Sequence, residues 1–74
     1  MCGIIGFTGS KQVAPILLEG MTRMEYRGYD SAGIAVVGRE KILLAKVSGK
    51  VSGLYEKTEN GAAMPGTCGI GHTR

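Results

Sequence analysis

The stretch GIIGFTGSKQVAPILLEGMTRM, residues 3–24, holds a strand followed by a helix, and the rest of the chain reads outward from that pair. Residues 3–8 form a short apolar run with little polar alternation, as expected of a strand buried on both faces. Gly9 and Ser10 break the run, and Ser10 has the side chain of a helix N-cap. Val13, Ile16, Leu17, Gly20, Met21 and Met24 then recur at helical spacing and make one apolar stripe. Gln12, Glu19, Thr22 and Arg23 fall mostly on the other side. Pro15 belongs in a first turn, which places the helix start near Gln12 or Val13. Gly20 on the apolar face costs about 1 kcal/mol relative to Ala, and close approach to a sheet is the expected compensation. The methionines read as core.

Downstream, residues 27–31 read as a loop, with Gly28 ending the helix. Residues 32–37 and 41–47 are apolar runs around a polar Gly38-Arg39-Glu40 turn, the pattern of an antiparallel hairpin. Within residues 48–59, Val51, Leu54 and Tyr55 suggest a short helix. Residues 60–66 form a loop in which Asn60-Gly61 marks a turn. Residues 68–72 read as a strand that delivers His72, Thr73 and Arg74 to its end. The order β-α-β-β-(α)-β makes the fold class α+β.

The chain has 74 residues, and a chain that short buries only about 60% of its unfolded surface, which is marginal. Two cysteines and one histidine leave little scope for a disulfide or metal supplement. The final residues, Cys68-Gly69-Ile70-Gly71-His72-Thr73-Arg74, are dense in functional groups, and the expectation is a piece of something larger. The net charge of +3 comes from nine basic and six acidic residues without a like-charge run. That distribution gives no basic stripe for nucleic acid. No segment approaches the length of a membrane span, and residues 1–20 lack the pattern of a secretory signal. Two distant cysteines fit reduced thiols and a cytoplasmic location.

The strongest chemical feature is Cys2. A small residue after the initiator Met favours removal of Met1, leaving a thiol and an α-amine on one residue. Their reference pKa values, about 8.5 and about 7.7–8.0, lie near neutrality, so the amine can serve as general base for its own thiol. Gly3 lets the backbone beside that nucleophile approach a substrate. Arg27 and Arg74 are either carboxylate forks or surface arginines. His72 is either an acid–base group or a hydrogen-bonding residue. The glycines at 3, 6 and 9 fit neither a Walker loop nor a dinucleotide fingerprint. Cys2, Cys68 and His72 supply too few ligands, without paired spacing, for a zinc site, and no cofactor is expected.

Three segments in order, Met1-Cys2-Gly3-Ile4-Ile5-Gly6, Tyr26-Arg27-Gly28-Tyr29-Asp30-Ser31-Ala32-Gly33 and Gly71-His72-Thr73-Arg74, resemble the glutaminase domain of the glutamine–fructose-6-phosphate aminotransferase family. The resemblance runs along the whole chain, including residues 16–20, Gly49 and Lys50. Tyr29 argues against the phosphoribosylpyrophosphate amidotransferase and asparagine synthetase types, which resemble RGQ and RGPD at this point. The resemblance implies an N-terminal-nucleophile hydrolase fold, an αββα sandwich, of which residues 1–74 would be a partial class II glutaminase domain. Its nucleophile falls on Cys2, with Gly3, Arg27 and Gly28 beside it. Its α-carboxylate-binding arginine falls on Arg74, with Thr73 and His72 in the same pocket wall. Glutamine is the implied substrate, and the ammonia released would aminate fructose 6-phosphate in a C-terminal domain of a homo-oligomeric enzyme. The family's Asn-Gly oxyanion pair and amine-binding Asp follow the HTR motif, so a chain of these 74 residues is expected to fold poorly and to be nearly inactive by itself. A reading of a different class is a small non-catalytic binding or structural module in which Cys2 is incidental.

Overall fold

Patterns of alternating and helical periodicity resolve into β1 (Gly3–Thr8), α1 (Val13–Arg23), β2 (Ser31–Val37), β3 (Ile42–Ser48), α2 (Val51–Lys57) and β4 (Cys68–Thr73) in the computed structural model, which describes residues 3–24 and 30–74. The strands form one sheet in the order β1-β4-β2-β3, and every neighbouring pair is antiparallel. The last strand therefore lies between the first and the second, and β1 and β2 run in the same direction with β4 separating them. The fold class is α+β.

Both helices pack on one face. Along β4 the inward positions are Gly69, Gly71 and Thr73, and the two glycines let α1 settle directly on the backbone. A Cβ on Gly71 would lie 2.6 Å from the Met21 sulfur, and one on Gly69 would lie 3.2 Å from Leu17 Cδ1. The flanking inward residues Ile5, Ala32, Ile34, Val36 and Ala45 complete a core with Val13, Ala14, Leu17, Leu18 and Met21 of α1 and Val51 and Leu54 of α2. Gly20 presses on Ile5 of β1, the close helix–sheet approach its position implied.

Several details differ from the sequence reading. β1 is not buried on both faces: it is an edge strand whose Ile4 is 79% exposed, because the helices cover only the opposite side. The buried arc of α1 includes Ala14 and Leu18, while Ile16 is only half-buried, so the apolar stripe is rotated by about one residue. Ser10 does not cap α1. The N-cap is Gln12, which makes no side-chain cap bond, and the Gly66 carbonyl accepts the Val13 N–H at 2.9 Å instead. Gln12 Oε1 in return accepts the Gly66 N–H at 3.0 Å, so the loop before β4 docks on the start of the helix. α1 ends at Arg23 with Met24 as its C-cap, ahead of Gly28, which itself lies outside the described residues.

The hairpin closes with Gly38 N–H donating to the Lys41 carbonyl at 2.8 Å. β2 begins one residue earlier than expected and ends at Val37 as expected, while β3 is shifted by one residue at both ends. Asn60 (φ 60°) and Gly61 (φ 95°) form the turn after α2, held by buried Thr58. The Thr58 hydroxyl donates to the Leu54 carbonyl at 2.6 Å and accepts the Gly61 N–H at 3.1 Å. Among the described residues no helix is long and apolar enough to cross a membrane.

Candidate functional site

One end of the sheet collects the start of β1, the end of β4, the start of β2 and the end of β3. Strand register brings Gly3 opposite Thr73, Thr73 opposite Ala32, and Ala32 opposite Val47. Beyond that row the backbone of Arg74 continues the ladder. Its N–H donates to the Ser31 carbonyl at 2.9 Å, and its carbonyl accepts N–H groups from Ser31 at 3.2 Å and from Asp30. Gly49 N–H then donates to the Asp30 carbonyl at 2.7 Å. Arg74 is thus fixed by its main chain while its side chain is exposed. Among the described residues an ion pair lies elsewhere, between exposed Arg23 and Glu19 at 3.7 Å.

Of the residues singled out by sequence, Gly3, Thr73 and Arg74 meet at this end. Cys2, Arg27 and Gly28 lie outside the described residues. Gly3, which follows Cys2, and Met24 and Asp30, which flank residues 25–29, gather at the same end of the sheet. A Cβ on Gly3 would lie 2.6 Å from the Met24 sulfur and 3.3 Å from Thr73 Oγ1, so a side chain there would require the Met24 side chain to shift.

His72 and Thr73 project to opposite faces, because successive strand side chains alternate. Thr73 is 2% exposed and points into the helix layer beside Gly3. His72 is exposed on the other face, in a row with Ile4, Gly33 and Lys46. A shallow concavity on that face is lined by Ile4, Gly33, Leu44, Lys46, Ile70 and His72. Cys68 is exposed four positions before His72 on β4, about 13 Å away at strand rise, too far to share one ion. Among the described residues no group of three His, Cys, Asp or Glu side chains could hold a metal ion.

Met24 was read from sequence only as the end of the apolar stripe. Its place two positions before Tyr26 was the available signal for its link to the Tyr26-Arg27-Gly28 segment.

All 74 residues align at 57% identity with a glutamine–fructose-6-phosphate aminotransferase (isomerizing) of Caldanaerobacter subterraneus subsp. tengcongensis, in its N-terminal region. The chain matches the N-terminal region of the glutamine–fructose-6-phosphate aminotransferase family. Enzymes of the same name from Gloeobacter violaceus and Pyrococcus horikoshii align over all 74 residues at 51% and 50% identity. The chain spans 12% of the length of each of these aminotransferases. No protein-family model matches it.

Proposed function

We propose that this chain is the N-terminal part of the glutaminase domain of a longer glutamine–fructose-6-phosphate aminotransferase. The alignment over every residue at 57% identity is the observation that carries the reading. The convergence of Gly3, Thr73 and Arg74 at one end of the sheet supports it, since these residues border the nucleophile and the carboxylate-binding position.

After removal of Met1, the α-amine of Cys2 takes the thiol proton, and the thiolate attacks the side-chain amide carbon of glutamine. The tetrahedral adduct collapses with cleavage of the C–N bond. The amine returns the proton and ammonia leaves. Water activated by the same amine attacks the thioester carbon, the C–S bond breaks, and glutamate and the free thiol are restored. The guanidinium of Arg74, set at the sheet end by its backbone ladder, pairs with the substrate α-carboxylate. Arg27 and Gly28 lie beside the nucleophile, and His72 contributes to the surrounding wall from the other face. The ammonia is consumed in the remainder of the protein by fructose 6-phosphate, giving glucosamine 6-phosphate.

In the finer architecture, the sheet and its two helices form one α/β half of an N-terminal-nucleophile sandwich. A second sheet, contributed by further chain, covers the open face that carries Ile4, Ile42, Leu44 and Ile70. The oxyanion donors and the ligand for the substrate amine belong to that further chain. The 74-residue segment alone is therefore inactive. The whole enzyme is cytoplasmic and homo-oligomeric.

The test uses the longer protein carrying this segment. Intact mass should show loss of Met1, a glutamine-like electrophile should label Cys2 stoichiometrically, and Cys2→Ala should abolish ammonia release. A protein that retains Met1 and ignores the electrophile, or a Cys2→Ala variant that still releases ammonia, would defeat the reading.

A further inference from the structure

We propose that Met24 is a positioning residue for the N-terminal nucleophile, acting through Gly3, an inference that rests on the role of Cys2 given above. The first residues of a chain are poorly ordered unless tied down. Here the tie is the strand pairing of Gly3 with Thr73 and a wall on the helix side of Gly3. That wall is the Met24 sulfur, 2.6 Å from where a Cβ on Gly3 would sit, together with Thr73 Oγ1 at 3.3 Å. Separations under 3.0 Å are essentially never found for real Cβ atoms, so a side chain at position 3 would have to displace the end of the Met24 side chain.

Met24 is suited to this task by its own anchorage. It is the C-cap of α1 and donates its N–H to the Met21 carbonyl at 3.0 Å, while its side chain packs against the core cluster. The helix end therefore packs against the start of β1. In the sequence Met24 also lies three residues before Arg27.

Self-activation of a terminal cysteine needs its thiol, its amine and the substrate carbon in one geometry. A misplacement of about 1 Å can cost on the order of 10²-fold in rate. Met24 touches neither the substrate nor the reacting atoms, so its removal should act on turnover rather than on glutamine affinity.

The experiment measures glutaminase kcat and KM in the full-length enzyme, with thermal melts to verify folding. Met24→Ala should lower kcat by about 10-fold or more, with KM for glutamine changed by less than about 2-fold, and the conservative Met24→Leu should restore most of the rate. The pH profile of Cys2 alkylation should shift in Met24→Ala, because the thiol's relation to its own amine changes. Gly3→Ala should also lower kcat, and its penalty should shrink in the Met24→Ala background, where the methyl gains room. If Met24→Ala does not fold, Met24→Ile against Met24→Leu carries the same comparison of shape at similar size. Unchanged kcat across folded Met24 variants, a loss expressed only in KM, or an additive Gly3→Ala penalty would overturn the proposal. An active Cys2→Ala enzyme would instead remove the functional reading beneath it.

Discussion

The two faces of the sheet are made from the same four strands and have opposite fates. On one face, Ala32, Ile34 and Val36 are sealed by α1 and α2, and the glycines of β4 admit the helix to backbone contact. On the other, Ile4, Val37, Ile42, Leu44 and Ile70 are each more than half exposed. Five large apolar side chains open to solvent on one side of a sheet are unusual in a self-sufficient domain. Their composition is that of a buried surface; only the covering layer differs. The helix-covered face explains how the segment forms a core, and the open face presents apolar surface that a further layer would seal.

Substitutions separate the faces by magnitude. Leu17→Ala removes a fully buried side chain between α1 and β4 and should cost about 2–5 kcal/mol, read by chemical denaturation of the longer protein. A loss below about 1 kcal/mol would mean that the helix layer is loosely packed. Gly71→Ala places a methyl against the Met21 sulfur, Ile34 and Ile5, and should cost about 1–3 kcal/mol by the same assay. Ile70→Ser sharpens the contrast, because its effect depends on what covers it. In the isolated segment it should reduce binding of a hydrophobic dye and self-association, whereas in the longer protein it should destabilise by about 1–3 kcal/mol. Equal behaviour in both settings would show that the open face stays open. Gly6→Ala, on the open face with its nearest neighbour at 3.7 Å, should be smallest, a gain of up to about 1 kcal/mol from reduced chain entropy.

The elements and their order were legible because each rests on a local pattern. GIIGFT gave the bounds of β1, and the hairpin around Gly38 and the turn at Asn60-Gly61 follow from their turn residues. The placement of β4 between β1 and β2 was not legible, since pairing between Gly3 and Thr73 leaves no local trace. Alternating Gly69 and Gly71 was the one hint that a helix would lie over this strand. The same long-range ordering decides which face of β1 is covered, and the run of isoleucines alone could not. At the site, the resemblance named Cys2 and Arg74, and strand alternation sends the His72 and Thr73 side chains to opposite faces. The two-residue period of a strand already required them to diverge. The capping of α1 by Gly66 was likewise hidden, because it depends on a loop more than fifty positions downstream.

The insertion of β4 also sets a timetable for synthesis. β1 and β2 leave the ribosome early, yet neither can complete its hydrogen-bond ladder until the strand between them has been made. The hairpin of β2 and β3 and the helix α1 can form from nearby contacts, while the step that joins them closes a loop of nearly the whole segment. During that interval β1 and one edge of β2 carry unpaired backbone groups beside apolar side chains, the condition under which nascent chains recruit chaperones or one another. The arrival of Gly71-His72-Thr73-Arg74 thus does two things at once: it completes the sheet and it brings Arg74, the proposed carboxylate-binding residue, to the end of the sheet that holds Gly3. Assembly of the fold and assembly of the site are the same late event.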